Sequence, residues 1–467
     1  MKNRFLRYGG AALLALFIAG CGGDDGKDGA PGPAGPAGPA GPPGADAQAI
    51  VKISELPAEQ WAALEIKGEV TNVTIASPPV VEFTLTDANG KPVSGLGDNV
   101  NSSGELQNVR FALAKLVPRS DQRPAHWVSY MVTSADYTTL NRPNVDREGT
   151  LVEDTANPGR YTYTFARDIA QIKAKVDAAT VTAPNDKADL GDLTYDPSLQ
   201  HRLAIQISGS QAGGSTSLEK AVNLFYDFVP ATGPIAKADL LKDVVNIDSC
   251  NTCHGRLAFH GGGRVDTKYC VTCHTTQRAY GRTKTTSPFP ALVELAVVDD
   301  TTGLTRYLYS KNTNPNSSSY HPTGTDPVYV GDGEVMGNFT TLVHKIHMGA
   351  DLTKPNYNYA GLPFNLLHFS KLDEGQRMCT TCHDSKVASK ADLAYTQPSR
   401  EACGACHDNV NFATGANHDG GSWSDDSTCA LCHSTGAGGA DIKIAHRTEN
   451  ITTNNPTVDD GLVSFTY

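Results

Sequence analysis

Residues 250–274 read CNTCHGRLAFHGGGRVDTKYCVTCH. A Cys-x-x-Cys-His run stands at each end of this stretch, and three more follow: CTTCH at 379–383, CGACH at 403–407 and CALCH at 429–433. Cysteines three apart face one side of a helical turn, at a separation that lets both sulfurs add to the two vinyl groups of one haem. The His that follows is then placed to bind the iron axially. Zinc ligation does not require a His directly after the second Cys every time, and a thioredoxin-type redox pair does not recur five times in one chain. The motifs therefore read as five covalent haem c sites, with Cys250, Cys253, Cys270, Cys273, Cys379, Cys382, Cys403, Cys406, Cys429 and Cys432 as attachment points. His254, His274, His383, His407 and His433 are the proximal iron ligands.

An iron has two axial positions, and the motif fills one. Of the 14 His, nine lie outside the motifs and seven of those fall in the haem region. His260, His344, His347, His418 and His446 are the candidates for the second position, with His321 and His368 in reserve. His344 and His347 lie three apart in a helical piece, 339–348, so they share a face and can serve two neighbouring haems. Met348 or Met378 in place of one His would raise that haem's potential. With every iron capped on both faces no position is open to a small substrate, which leaves electron transfer, and bis-His ligation keeps potentials low, as anaerobic respiration needs. A segment of this length has a radius of gyration of about 17 Å, so five macrocycles within it lie close together and form a conduit.

The haem region, 243–450, is rich in Gly, Asn, Asp, Ser and Thr. It is so poor in Leu, Ile, Val and Phe that side chains alone hardly build a core. Strand alternation fades there and helical patterning comes in short pieces. Before it, 48–230 holds no Cys and alternates with period two at 81–86 (VEFTLT), 161–165 (YTYTF), 202–207 and 221–228. That pattern predicts an antiparallel split barrel or sandwich. A short helix is expected around 167–179, a boundary at 230–234 (PATGP), and structural or surface roles for His126 and His201. The fold class is thus two-domain, an all-β domain followed by a multihaem domain of short helices and much loop.

Over the 467 residues, 39 Lys plus Arg face 50 Asp plus Glu, a formal net charge of −11, which argues against nucleic acid as a partner. No apolar run after residue 21 is long enough to span a bilayer as a helix, so membrane attachment is expected from the N-terminus. Residues 1–20 carry Lys2, Arg4 and Arg7, then an apolar run and Ala19-Gly20 before Cys21, the pattern of a signal peptide. A small-residue site followed by Cys resembles a bacterial lipoprotein signal, which makes Cys21 the lipid-bearing N-terminus. Ordinary cleavage would leave it a free thiol. Within 21–47, residues 26–46 form Gly-X-Y triplets, a collagen-like segment that is either a stiff spacer reaching roughly 65 Å or one strand of a trimer.

The stretch 250–274, together with 338–349 (NFTTLVHKIHMG) and 402–418 (ACGACHDNVNFATGANH), resembles the outer-membrane multihaem cytochromes of metal-respiring bacteria, the OmcA/MtrC type. The resemblance covers nearly the whole chain. It implies a β domain followed by a pentahaem domain, the five candidate His as distal ligands, and display on the cell exterior. It further implies a porin-cytochrome or other periplasmic or outer-membrane electron donor, and electron delivery to Fe(III) or Mn(IV) oxides, metal complexes or flavins, with terminal metal reductase activity left open. Members usually carry ten haems in two such halves. This chain has five motifs, and its tail, 451–467, ends in GLVSFTY, of strand character and expected to begin a second β domain. The alternative is a multihaem reductase of the nitrite or hydroxylamine type, similar in haem count. The nitrite reductases use a Lys in place of the His at the catalytic haem, whereas all five motifs here end in His.

Overall fold

Alternation at 81–86 puts Val81, Phe83 and Leu85 on one face of a strand, and in the computed structural model all three are buried. The structure describes residues 50–132, 143–179, 190–277, 294–298, 305–309, 328–332, 336–353, 357–359, 362–364, 379–434 and 441–446. The signal segment, Cys21, the Gly-X-Y tether, His321, His368, Met378 and the tail 451–467 lie outside the described residues.

The strands in chain order begin with β1 (Val51–Lys52), β2 (Ile66–Thr74), β3 (Val80–Asp87), β4 (Val93–Ser94), β5 (Val109–Val117) and β6 (His126–Ser129). They continue with β7 (Thr150–Glu153), β8 (Arg160–Thr164), β9 (His201–Ile207), β10 (Val222–Val229) and β11 (Gly233–Pro234). Two antiparallel sheets result, one in the order β2-β3-β8-β7 and the other β11-β10-β9-β5-β6. They share one core, in which Phe111 of β5 stacks on Tyr163 of β8 with ring centroids 3.6 Å apart. The stretch 230–234 makes a tight turn that returns β11 to the edge of the sheet, Phe228 opposite Pro234.

Strand β5 does not alternate. It is covered on both faces from Phe111 to Leu116, so VRFALAKLV, with Arg110 and Lys115 set among apolar residues, shows no sustained alternation and period-two reading passes over it. The helix expected over 167–179 is confined to Ile172–Ala178. Arg167 instead turns inward, 2.9 Å from the buried carboxylate of Asp146. A buried guanidinium is tolerated only with such pairing.

After the β region the chain forms short helices, among them Ile247–His254, Thr267–Cys270, Phe339–Met348, Cys379–Cys382, Arg400–Cys406, Cys429–His433 and Ile442–Ala445. Between the second and third motifs it also forms an antiparallel sheet of β12 (Glu294–Val298), β13 (Thr305–Tyr309) and β14 (Val328–Asp332). The expectation that strand structure fades beyond 243 is corrected there. Short runs rich in Val, Leu and Tyr are enough for a local meander. The two regions are stitched by polar contacts: the Gln277 side-chain amide donates to the carbonyls of Ser129 (3.0 Å) and Leu190 (2.8 Å), and its oxygen accepts from the Ser129 amide at 2.8 Å. Among the described residues no helix is long and apolar enough to cross a membrane.

Candidate functional site: five histidine pairs

Each Cys-x-x-Cys-His is held as one helical turn. The amide of His274 donates to the Cys270 carbonyl, that of His383 to Cys379 and that of His407 to Cys403, each at 2.8 Å. Three of these turns begin with a side-chain cap four residues before the first Cys. Asn246 accepts from the Asp248 amide (3.0 Å), Asp266 from Lys268 (2.8 Å) and Ser399 from Ala402 (3.2 Å). Such caps satisfy amides that the helix start leaves open, and they hold the thiols in a set direction. Sequence reading missed these positioning residues, although Asn, Asp or Ser at that offset is a legible signal.

The structure brings the ten sequence-predicted His together in five pairs. Ring centroids are 6.0 Å apart for His254 and His347, 6.1 Å for His260 and His274, and 6.2 Å for His344 and His383. The other two pairs, His407 with His446 and His418 with His433, are each 6.1 Å apart. Every pair joins one motif His to one His from outside the motifs. A metal bound by both imidazole nitrogens at about 2 Å places ring centroids about 6 Å apart, so the gap in each pair has the width of one ion.

The second members arrive by three routes. His344 and His347 come from the helix Phe339–Met348, which thereby serves the third and the first motif. His260 sits in a tight loop closed by the bridge Phe259 to Arg264, and His418 lies two residues past the bridge Asn411 to Ala416; each follows one motif and faces the His of the next. His260 holds φ at 54°, a left-handed conformation that costs free energy outside glycine and clusters at functional sites. His446 follows the last short helix and turns back to His407.

Five of the ten rings have Nδ1 next to a backbone carbonyl: His274 with Gly337 (3.2 Å), His347 with Val343 (2.7 Å), His383 with Val244 (3.0 Å), His418 with Gly421 (2.7 Å) and His446 with Ile442 (3.0 Å). A carbonyl only accepts, so Nδ1 carries the proton and Nε2 is left as the lone-pair donor. Burial, together with His383 alongside, pushes His344 down to about 4. Burial also lowers His254, His383 and His407. These imidazoles are thus neutral near pH 7, the form that binds iron.

Among the described residues the ten motif cysteines form no disulfide. Burial pushes Cys270 and Cys406 up to about 12, and Cys382 and Cys403 up to about 11. Redox-active thiols need the opposite shift, so the dithiol reading loses its physical basis. Among the described residues no group of three or more His, Cys, Asp or Glu forms a cage for a lone metal ion. His201, in contrast, is fully occupied: its Nδ1 donates to the Leu199 carbonyl at 2.8 Å and its Nε2 accepts from the Tyr130 hydroxyl at 3.0 Å.

Residues 242–447 match the family model for outer membrane cytochrome MtrC/MtrF-like proteins, domains II/IV. That part of the chain is similar to the outer-membrane cytochromes of the MtrC/OmcA type. Its curated relative, the multiheme cytochrome MtrC of Shewanella baltica (strain OS185), is 26% identical over 363 residues, which cover 76% of this chain and 38% of that protein. Among solved structures, MtrC from Shewanella baltica OS185 gives a TM-score of 0.49 at 23% identity, covering 83% of this chain and 46% of that one. The outer membrane decaheme cytochrome OmcA gives 0.49 at 21% identity, covering 83% of this chain and 47% of that one. The chain spans less than half the length of these relatives.

A c-type haem fits what the five sites present. Paired thiols, an imidazole on each side of an ion-sized gap, and buried polar atoms with no hydrogen-bond partner among the described residues recur at the motifs. The last are the Ser249 hydroxyl beside Cys250, Nδ1 of His344, and the Tyr395 hydroxyl, which lies within electrostatic reach of Cys379 and Cys382. Buried polar groups rarely stay unsatisfied, so each points to a polar partner beyond the described residues.

Proposed function

We propose that the chain is an outer-membrane-anchored pentahaem c-type cytochrome that carries electrons at the cell surface to extracellular acceptors in anaerobic respiration. The observation that carries this reading is the set of five His pairs, each spaced for one iron. Haem c, when bound, supplies an iron that accepts and releases one electron at a time.

The protein's own groups do the rest. Each Cys pair would anchor one macrocycle, and the two imidazoles of each pair would hold its iron and so exclude substrate from the metal. The Nδ1–H donors to backbone carbonyls fix ring orientation. The sites also neighbour one another: Cys270 lies within electrostatic reach of Cys250, Cys250 and Cys253 of Cys382, Cys379 of both Cys403 and Cys406, and Cys403 of Cys429. That succession, second motif to first to third to fourth to fifth, supports a conduit.

Cys21 as lipid anchor, the Gly-X-Y segment as spacer, a porin-cytochrome or other periplasmic or outer-membrane donor, and metal oxides, metal complexes or flavins as acceptors complete the proposal. The nitrite or hydroxylamine reductase alternative is disfavoured, because it needs an iron with one face open and each of the five motif His has an imidazole opposite. Magnetic circular dichroism of the oxidised protein tests it: five low-spin haems per chain are expected, reducible by an anaerobic donor and reoxidised by ferric citrate. One high-spin haem together with nitrite turnover would transfer the chain to the reductase class.

A further inference from the structure

The outer face of the β region at the second motif carries charge that nothing described there neutralises. Cross-strand partners share a face, and in the β5–β9 pair Arg110 stands opposite Gln206 while Ala112 stands opposite Ala204. The two alanines are fully buried because Tyr269 and Cys273 of the second motif lie against them. At the rim of this contact, Arg264 donates from Nε to Gln206 Oε1 at 3.2 Å, and its guanidinium stands 5.3 Å from the centre of the Tyr269 ring. Arg110 and Arg264 therefore meet at Gln206.

Among the described residues neither guanidinium has a carboxylate at ion-pair distance. Arg110 has one hydrogen bond, to the Gln107 carbonyl at 3.3 Å, and the nearby Glu105 is engaged by Arg147 at 2.8 Å. The Tyr269 hydroxyl is fully buried and the Arg264 guanidinium stands beside it. Two half-buried guanidiniums offer N–H donors here, and the buried hydroxyl of Tyr269, the residue next to Cys270, adds an O–H. Like charges at such separation are unfavourable unless an anion lies between them, and the forked guanidinium suits a carboxylate best.

We infer that Arg110, Arg264 and the Tyr269 hydroxyl form a carboxylate clamp, and that its occupant is a propionate of the haem attached to Cys270 and Cys273. This rests on the haem reading above. The β region thereby acts on that haem: neutralising a propionate removes negative charge that stabilises the ferric state, so the clamp raises the midpoint potential of one haem out of five.

The test uses the full chain matured with haem, as wild type, Arg110→Gln, Arg110→Lys, Arg264→Gln and Tyr269→Phe, with haem counted by pyridine haemochrome and potentials resolved by spectroelectrochemical titration. In Arg110→Gln and Arg264→Gln, five haems are expected and one midpoint potential falls. The expected fall corresponds to about a tenfold change in the oxidised-to-reduced ratio, ~59 mV for a one-electron couple. A smaller fall is expected in Tyr269→Phe and partial recovery in Arg110→Lys. Five haems with five unchanged potentials would overturn the clamp. So would a wild-type potential that moves on adding inorganic phosphate while Arg110→Gln stays fixed, since the clamp would then hold a soluble oxyanion. Fewer than five haems in the wild type would instead remove the haem reading itself.

Discussion

His347 faces His254 with ring centroids 6.0 Å apart, although a whole sheet, a second motif and most of a helix lie between them in the chain. One helical turn earlier, His344 faces His383 at 6.2 Å. The helix Phe339–Met348 thus closes two sites at once. Its first amide, on Phe339, donates to the carbonyl of His274 at 3.0 Å, and Asn338 reaches Glu401 at 2.6 Å in the helix that carries the fourth motif.

Removing either imidazole of this helix is expected to open one iron. His344→Ala and His347→Ala should each convert one of five haems from low to high spin, at different sites, and the double variant should convert two. Electron paramagnetic resonance of the oxidised protein checks this. A spectrum identical to wild type in either single variant would remove that His from the ligand set.

Replacing both Cys403 and Cys406 by Ala should lower the haem count from five to four and leave His407 and His446 facing each other with no iron between them. Intact-mass measurement reads the loss directly. Retention of five covalent haems would contradict the attachment scheme.

Acid is expected to destabilise the β region through His201. Burial pushes His201 down to about 4, and its two ring nitrogens are committed to Leu199 and to the Tyr130 hydroxyl in the neutral form. The unfolded chain therefore binds the proton first. Stability conferred by the neutral ring is fully present above an unfolded value of about 6.5 and declines as pH falls toward 4, by on the order of 3 kcal/mol in all. Thermal melts at pH 7 and pH 4.5 should show a larger drop for the wild type than for His201→Gln. Equal drops would mean that this ring does not govern the acid limb.

Phe111→Ala should cost about 3–5 kcal/mol, because it removes a fully buried ring that stacks on Tyr163 and joins the two sheets. Chemical denaturation followed by far-ultraviolet circular dichroism measures it, and a loss below about 1 kcal/mol would show that the core repacks around the gap.

Gln277→Ala should weaken the seam between the β and haem regions. It leaves the Ser129 amide and the Ser129 and Leu190 carbonyls without their side-chain partner, at about 1–3 kcal/mol for a buried group left unsatisfied. Hydrogen exchange at Ser129 is the local readout, expected to rise in the variant while β3 and β8 stay protected.

The Cys-x-x-Cys-His turn was legible in the amino-acid order because its geometry is local: Cys, Cys and His lie within one helical turn, and no distant residue is needed to define it. The alternating strands β3, β8, β9 and β10 were legible for the same reason, since period two is written into adjacent positions. Strand β5 was hidden, because burial on both faces erases the alternation that would reveal it. The candidate His could be chosen by counting but not paired. An iron takes its second imidazole from whatever the fold brings opposite, and only the tertiary structure decides that the loop after one motif faces the next, that one helix serves two motifs, and that an arginine from a β-strand meets one from a haem-bearing loop.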